Sequence, residues 1–338
     1  MKSSNLASSF NLSFDTKDSA AMRPHINIIS RSNGVGLDQD AQLIKNSLEA
    51  GGMEVSLSHC RSIPAWSHLI PTKPKFDANI FLERTFSRWF GTSKINLLIP
   101  NQERFPARHI KKLKHIHTVL CKSKHAEEIF SQYSRTELIG FTSADRNSTN
   151  SAMDFQSYFH LAGKSTLKGT EALLQTWEKH PEWPTLTLIQ HKSNAPEQVP
   201  ANVVLISEYI SSEELVQHLN KHGVHLCPSL SEGWGHYIVE AMSCGAVVLT
   251  TDAPPMNEIV SASTGTLVPF YKTEPRHLGT NFHVNTSQLE SHIEQLMQSS
   301  NSSKEAKGKA ARAWFEQNDT QFRSQLAKTV SNILNGSL

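Results

Sequence analysis

The sequence predicts an α/β chain built of two parallel-sheet halves. Three observations carry that expectation. The chain has 338 residues, too many for one ordinary hydrophobic core. Short β-branched, apolar runs alternate with stretches of helical periodicity along most of its length. The alternation breaks in the polar segment 145–156 and then resumes. The division read from this is a leader over 1–22, a first domain over 23–147, a second over 148–303, and a terminal helical segment over 304–338.

Residues 1–22 are Ser-rich and polar with no apolar core. They predict a disordered leader rather than a secretory signal. His25–Ser30 reads as the first strand, Asp38 to Leu48 as a helix closed by Gly51-Gly52, and Met53–Leu57 as a second strand. Ala78–Leu82, Ile95–Ile99 and His117–Leu120 read as buried strands, and Lys124–Tyr133 as a helix. Beyond the break, Phe155–Ala162 is a strand leading into the loop 163–169, and Thr170–Lys179 is a helix. Leu186–Gln190 and Val203–Ile206 are strands. Ser212–Lys221 is a helix that Ser211 and Glu214 can cap. Val224–Cys227 leads into a glycine loop, a further helix and the strand Val247–Thr251. The tail from Gln288 reads as three helical pieces, the last from Lys304 to Leu334. Trp177, Trp183 and Trp314 read as packing residues.

Composition narrows the function. Apolar residues make up 38% and charged residues 19%, compatible with a soluble globular protein. No window approaches about 18 uninterrupted apolar residues, so no spanning helix is expected. The four cysteines, Cys60, Cys121, Cys227 and Cys244, have no paired short spacing. That argues against structural zinc and a disulfide framework, and fits a reducing cytoplasm. Net charge is +2 overall, but +6 over residues 1–145 and −4 over the remainder. The basic half suits an anionic partner.

The chemistry concentrates between Cys227 and Glu258. Glu232 and Glu240 stand eight positions apart, with Gly233 and Gly235 between them just before a helical pattern. A helix start offers unpaired N–H groups and a positive dipole end. Glycines let a phosphate come close to that backbone. Glu240, one turn into the helix, can accept hydrogen bonds from a ribose diol, and Glu232 from sugar hydroxyls. Two carboxylates suit such a site only as hydroxyl acceptors or charge stabilisers, because they repel bare phosphate.

The string SEGWGHYIVEAMSCGAVVLTT resembles the signature of retaining glycosyltransferases of the GT-B fold, glycosyltransferase family four. Glu232, Gly233, Trp234, Gly235, Glu240, Ala241, Met242 and Gly245 carry the match. Asn257-Glu258-Ile259-Val260 is similar to the family's Pro-Glu-Ile-Val segment, and AGKSTLKGTEALL to the start of its second domain. The resemblance covers residues 158–270 well and the first domain weakly. It implies two Rossmann-like domains facing across a cleft, with the C-terminal helix crossing back to the first. It implies a metal-independent hexosyltransferase taking a UDP- or GDP-sugar and retaining anomeric configuration, with no cofactor. Glu240 would bind ribose. Glu232 with the backbone of Trp234, Gly235 and His236 would hold the sugar, and Lys164 and Lys168 would grip the diphosphate. Many relatives carry Arg where Lys164 stands, and the spacing from Lys164 to Lys168 is short, so the phosphate grip is looser than a bidentate fork gives.

Other candidates are weaker signals. The loop Asn33-Gly34-Val35-Gly36 can bring N–H groups of Gly34 and Gly36 to the diphosphate. It is not a dinucleotide fingerprint, because Gln39 stands where a third glycine is needed. Tyr209 and Ile210 are assigned to the nucleotide-base wall from the family pattern and chain order. Asn101 and Glu103 can contact donor sugar or acceptor, and Lys122-Ser123 is a similar candidate. Residues 104–117 join Arg104, Arg108, Lys111, Lys112 and Lys114 to Ile110 and Leu113. Such a segment can rest on an anionic membrane, draw an anionic acceptor, or be a solvated basic face. The aromatics lack the spacing of a nucleic-acid stacking platform. None of the 17 histidines forms a two-histidine helix motif with a carboxylate, so no metal is expected. The function expected is transfer of a sugar to a carbohydrate or lipid-linked acceptor hydroxyl, in cell-surface polysaccharide or glycolipid synthesis. The rivals are a nucleotide-sugar epimerase or phosphorylase on the same fold, and a non-catalytic nucleotide-sugar binding protein.

Overall fold

A computed structural model describes residues 23–31, 36–67, 73–148 and 152–337. The leader 1–22 and Gly34 lie outside the described residues.

Each half is a six-stranded, all-parallel sheet. The first holds β1 (His25–Ser30), β2 (Glu54–His59), β3 (Phe76–Glu83), β4 (Ser93–Pro100), β5 (Thr118–Cys121) and β6 (Thr136–Leu138), in the order β2-β1-β3-β4-β5-β6. The second holds β7 (Asp154–Gly163), β8 (Leu186–Gln190), β9 (Val203–Ile206), β10 (His222–Cys227), β11 (Val247–Thr251) and β12 (Gly265–Val268), in the order β12-β11-β10-β7-β8-β9. Strands buried on both faces explain the continuous apolar runs: β10 and β11 are buried at every residue. In the second sheet the strand order reverses between β7 and β10. Ligands of open α/β sheets bind outside the carboxyl ends of strands at such a switch point. The loops leaving β7 and β10 are those that carry Lys164, Lys168 and Glu232.

Helices α1 (Gly36–Ala50), α2 (Lys124–Phe130), α3 (Thr170–Lys179), α4 (Ser212–Lys221), α5 (His236–Ser243) and α6 (Met256–Ile259) follow their strands, and Ser211 and Glu214 close a capping box on α4. The tail is two helices rather than three pieces, α7 (Thr286–Gln298) and α8 (Asn301–Leu334). Gly308 does not break α8, because it is a point of close approach: a Cβ there would lie 2.1 Å from the Gly245 carbonyl oxygen. α8 packs on α5 of the second half and on α1 of the first. One apolar cluster runs from Ile26 and Ile44 through Phe322 and Leu326 to Ile238 and Val248, so both halves share a core.

A feature absent from the sequence reading is the antiparallel hairpin β13 (Phe270–Arg276) and β14 (Gly279–Val284). It reaches from the second half to the first: a Cβ on Gly279 would lie 3.1 Å from the Glu103 nitrogen. Residues 145–148, the start of the polar break, are held firmly. Asp145 pairs with Arg312 of α8, the Arg146 nitrogen donates to Ser243 Oγ at 2.9 Å, and Asn220 donates to the Arg146 carbonyl. Residues 154–156 of that segment already belong to β7. Among the described residues no helix is long and apolar enough to cross a membrane. Cys60, Cys121, Cys227 and Cys244 are buried free thiols.

Candidate active site

The Lys168-Gly169 step is set by backbone geometry. Gly169 has φ +74°, and a Cβ there would lie 2.1 Å from the Pro228 carbonyl oxygen. No other residue fits that contact, and it brings the β7 loop against the β10 loop. Lys168 Nζ then stands 2.6 Å from Glu232 Oε1 and 3.7 Å from the centre of the Tyr237 ring. Their side chains are only 15% and 11% exposed. Ser229 Oγ donates to the same carboxylate oxygen at 2.5 Å. With its proton so used, Ser229 accepts from the Tyr237 hydroxyl, 2.6 Å away. Burial keeps the Tyr237 phenol well above its ordinary pKa, so it remains a donor.

Gly235, at φ +114°, turns the chain into α5. The N–H groups of the first α5 turn have no partner inside the helix. Glu240, one turn in and buried, holds Arg146: Nε and Nη2 lie 3.1 and 3.0 Å from Oε1. At the start of the helix, His236 Nε2 sits 2.7 Å from Asp40 Oδ1 on α1, and His236 Nδ1 sits 2.8 Å from Ser143 Oγ. The other Asp40 oxygen accepts from Lys122 Nζ at 2.7 Å. Burial alone would raise the Asp40 pKa. Lys122 and His236 more than reverse this and hold the carboxyl well below the usual carboxylate range.

The wall after β4 closes on the glycine loop. A Cβ on Gly233 would lie 2.6 Å from Asn101 Oδ1, and Gln102 Nε2 donates to the Glu232 carbonyl at 2.9 Å. Asn101 Oδ1, Gln102 Oε1, Glu103 Oε2 and Trp234 Nε1 are buried without a protein partner. A hydroxyl-rich ligand satisfies such groups. Burial first, then the Glu232 charge, pushes Glu103 up to about 7.

That shift fixes a pH dependence. The folded protein holds the Glu103 proton more tightly than the unfolded chain does. The stability linked to it is therefore present below the ordinary glutamate range and is lost as pH rises through about 7. Glutamine cannot ionise. Glu103→Gln is expected to match the parent near pH 4 and to exceed it at pH 8 by on the order of 3 kcal/mol. Urea unfolding at both pH values reads this; a gap that does not widen with pH rejects it.

Not every sequence candidate joins the cluster. Lys164 is exposed, and among the described residues its ammonium forms no ion pair; its carbonyl accepts from Asn194. Tyr209 is 92% exposed, while Ile210 packs on the small cluster of Phe159 and Leu219. Gly36 opens α1 with nothing within 4 Å of a Cβ. Glu258 instead caps α2 of the first half, accepting from the Lys124 and His125 nitrogens at 2.7 and 2.9 Å. The residues the sequence reading missed are Asp40, Gln102, Ser143, Arg146, Ser229 and Tyr237. Only Asp40 left a signal: it is a carboxylate on the buried stripe of Leu37, Ala41, Ile44 and Leu48. Among the described residues, the group of possible metal ligands is His180, Glu290 and Glu294, where α3 meets α7 and apart from this cluster.

The two facing parallel-sheet domains match solved GT-B glycosyltransferase structures, and the fold is GT-B. The profile of the family described as Glycosyl transferases group 1 matches residues 192–313, which include Glu232 and Glu240 but not Lys164 or Lys168. Together these findings support a glycosyltransferase. Among similar solved structures, a sucrose-phosphate synthase from Thermosynechococcus elongatus has TM-score 0.68 and 16% identity, over 93% of this chain and 100% of the other. HepE of Anabaena in complex with UDP and glucose has TM-score 0.68 and 15% identity, over 92% and 100%. A glycosyltransferase from Rickettsia africae has TM-score 0.70 and 12% identity, over 93% and 98%. At such identity these likenesses speak for the fold alone. No curated protein matches by sequence.

Proposed function

We propose that the protein transfers a sugar from a UDP- or GDP-sugar to an acceptor hydroxyl with retention of anomeric configuration. The observation that carries this is the meeting of Lys168 and Glu232, 2.6 Å apart, at the carboxyl ends of β7 and β10. Residues 148–303 would bind the donor, 23–147 would face the acceptor, and 304–338 would couple the two.

Lys168 has three donor hydrogens and spends one on Glu232. The others are free for the diphosphate, alongside Lys164 and the first N–H groups of α5. These positive groups meet the negative charge that grows on the leaving oxygen, the role a divalent ion fills elsewhere. Arg146 engages one Glu240 oxygen, which leaves the second to accept from the ribose diol. Tyr209 and Ile210 flank the base. Glu232 and the 233–236 backbone hold the sugar. The bond from the anomeric carbon to the phosphate oxygen breaks, and the acceptor oxygen bonds that carbon on the same face. The acceptor proton passes to a diphosphate oxygen, since no side chain of the Glu232-to-Glu240 motif is an obvious general base. HepE, solved with UDP and glucose, lends support to a uridine donor. The acceptor is a carbohydrate or a lipid-linked one, met in the cytoplasm or at a membrane surface.

A thermal-shift series with UDP, GDP and their sugars tests the donor. A ligand at 100 times its Kd adds about 2.7 kcal/mol to the folded state. UDP or GDP is expected to raise the melting temperature of the parent, and Glu240→Ala to diminish the rise. No shift with either nucleotide defeats the reading.

A further inference from the structure

The first domain has a cavity of about 350 Å³ that the donor cluster does not use. It opens at the carboxyl ends of β1, β2 and β3, the ligand-bearing edge of such a sheet. Its volume falls within the roughly 300–1,000 Å³ of small-molecule sites. Arg31, Arg61, Arg84, Arg88 and Lys112 line it, and among the described residues no carboxylate does. Among the described residues only Arg84 of these has an acidic partner, Glu83. Glu83 adopts φ +67°, a conformation rare for a residue with a side chain.

Two further polar groups face this cavity without a protein partner. Thr85 lines it, is 2% exposed, and its hydroxyl makes no hydrogen bond. His109 lines it with Nδ1 buried and unpaired. Burial first, then Lys112, Arg108 and Arg84, pushes His109 down to about 4, so it is a neutral partner at pH 7. Five cations around one cavity repel each other until an anion enters. Guanidinium forks match phosphate oxygens in pairs. The neighbouring sugar-side wall starts from the adjacent strand end: the sheet register sets Glu83, the residue before Arg84, beside Pro100, the residue before Asn101.

We propose that this cavity seats the phosphate of a phosphate-bearing acceptor and so presents the acceptor hydroxyl at the sugar end of the donor cluster. The word acceptor rests on the donor reading above; the anion site does not. The phosphate is either that of a free sugar phosphate or that of a lipid headgroup, and the test separates them.

Isothermal titration of the full chain, with and without saturating UDP, is run with glucose 6-phosphate, inorganic phosphate and glucose. Sedimentation is run with phosphatidylglycerol–phosphatidylcholine vesicles and with phosphatidylcholine alone. The variant is Arg61→Gln/Lys112→Gln, and the control is Lys111→Gln, an exposed lysine of the same segment that does not line the cavity. Glucose 6-phosphate is expected to bind at least tenfold more tightly than glucose, and the double variant to lose at least tenfold while the control does not. The same loss seen on anionic vesicles, without sugar-phosphate binding, assigns the phosphate to a lipid. If neither probe binds in a way that depends on Arg61 and Lys112, the proposal is overturned. UDP affinity, read in the same titrations, confirms that the variant is folded. Its absence in the parent would sink the donor reading while leaving the anion result intact.

Discussion

Lys168→Met is expected to lower kcat by about 100- to 1,000-fold, the loss typical when one fixed group that meets transition-state charge is removed. The effect is large because Lys168 is 15% exposed and held between the Glu232 carboxylate and the Tyr237 ring. Charge in such a place is weakly screened and needs no reorganisation as the diphosphate departs. Lys164 is exposed, so Lys164→Ala should cost less than tenfold. Lys168→Met also strands Glu232, with Ser229 its remaining side-chain partner. A partly buried carboxylate left without its cation costs roughly 3 kcal/mol of stability. The double variant Lys168→Met/Glu232→Gln separates the two effects: it should recover stability and not turnover. Nucleotide release with the sugar donor that stabilises the protein gives kcat, and urea unfolding gives stability. A Lys168→Met enzyme within tenfold of the parent would remove Lys168 from the chemistry.

Local pattern reached the two sheets and the donor loop, and failed where partners lie far apart along the chain. Strands such as β10 and β11 are buried throughout, so their apolar runs stand out in any window. The Lys168-Gly169 step and the Glu232-to-Glu240 spacing are likewise local strings. The β13–β14 hairpin left no such mark. Most of Phe270–Arg276 is exposed, and a strand solvated on both faces carries no period of two. Gly308 shows no local reason for its place in α8, because its reason is the Gly245 carbonyl, 63 positions away. Residues 145–148 read only as the start of a polar break, because polarity was their only local property. Their order comes from Arg312, Ser243 and Asn220, which the fold alone brings together. The same limit hid Arg146 and Tyr237 from the site.

Asp40→Asn is expected to destabilise the protein by about 3–5 kcal/mol, the loss that follows removal of one partner of a buried ion pair. Asp40 and Lys122 are 5% and 3% exposed, and the carboxylate also meets His236 of the opposite domain. The substitution leaves Lys122 with the face of Phe141, 4.1 Å from the ring centre, which compensates only a small part of a buried charge. Because the Asp40 pKa is depressed on folding, its stabilisation is present above the ordinary aspartate value, about 3.9, and is lost as pH falls through the folded value. The gap between parent and variant should therefore stay constant from pH 7 to pH 5 and narrow only below about pH 4. Salt should change it little, since screening acts on exposed charges. Asp40→Asn/Lys122→Met removes the stranded ammonium and should regain most of the loss. Denaturant melts across pH 3–7 decide the matter. A gap that opens or closes between pH 5 and 7 would show that the Asp40 carboxylate does not by itself carry this stability.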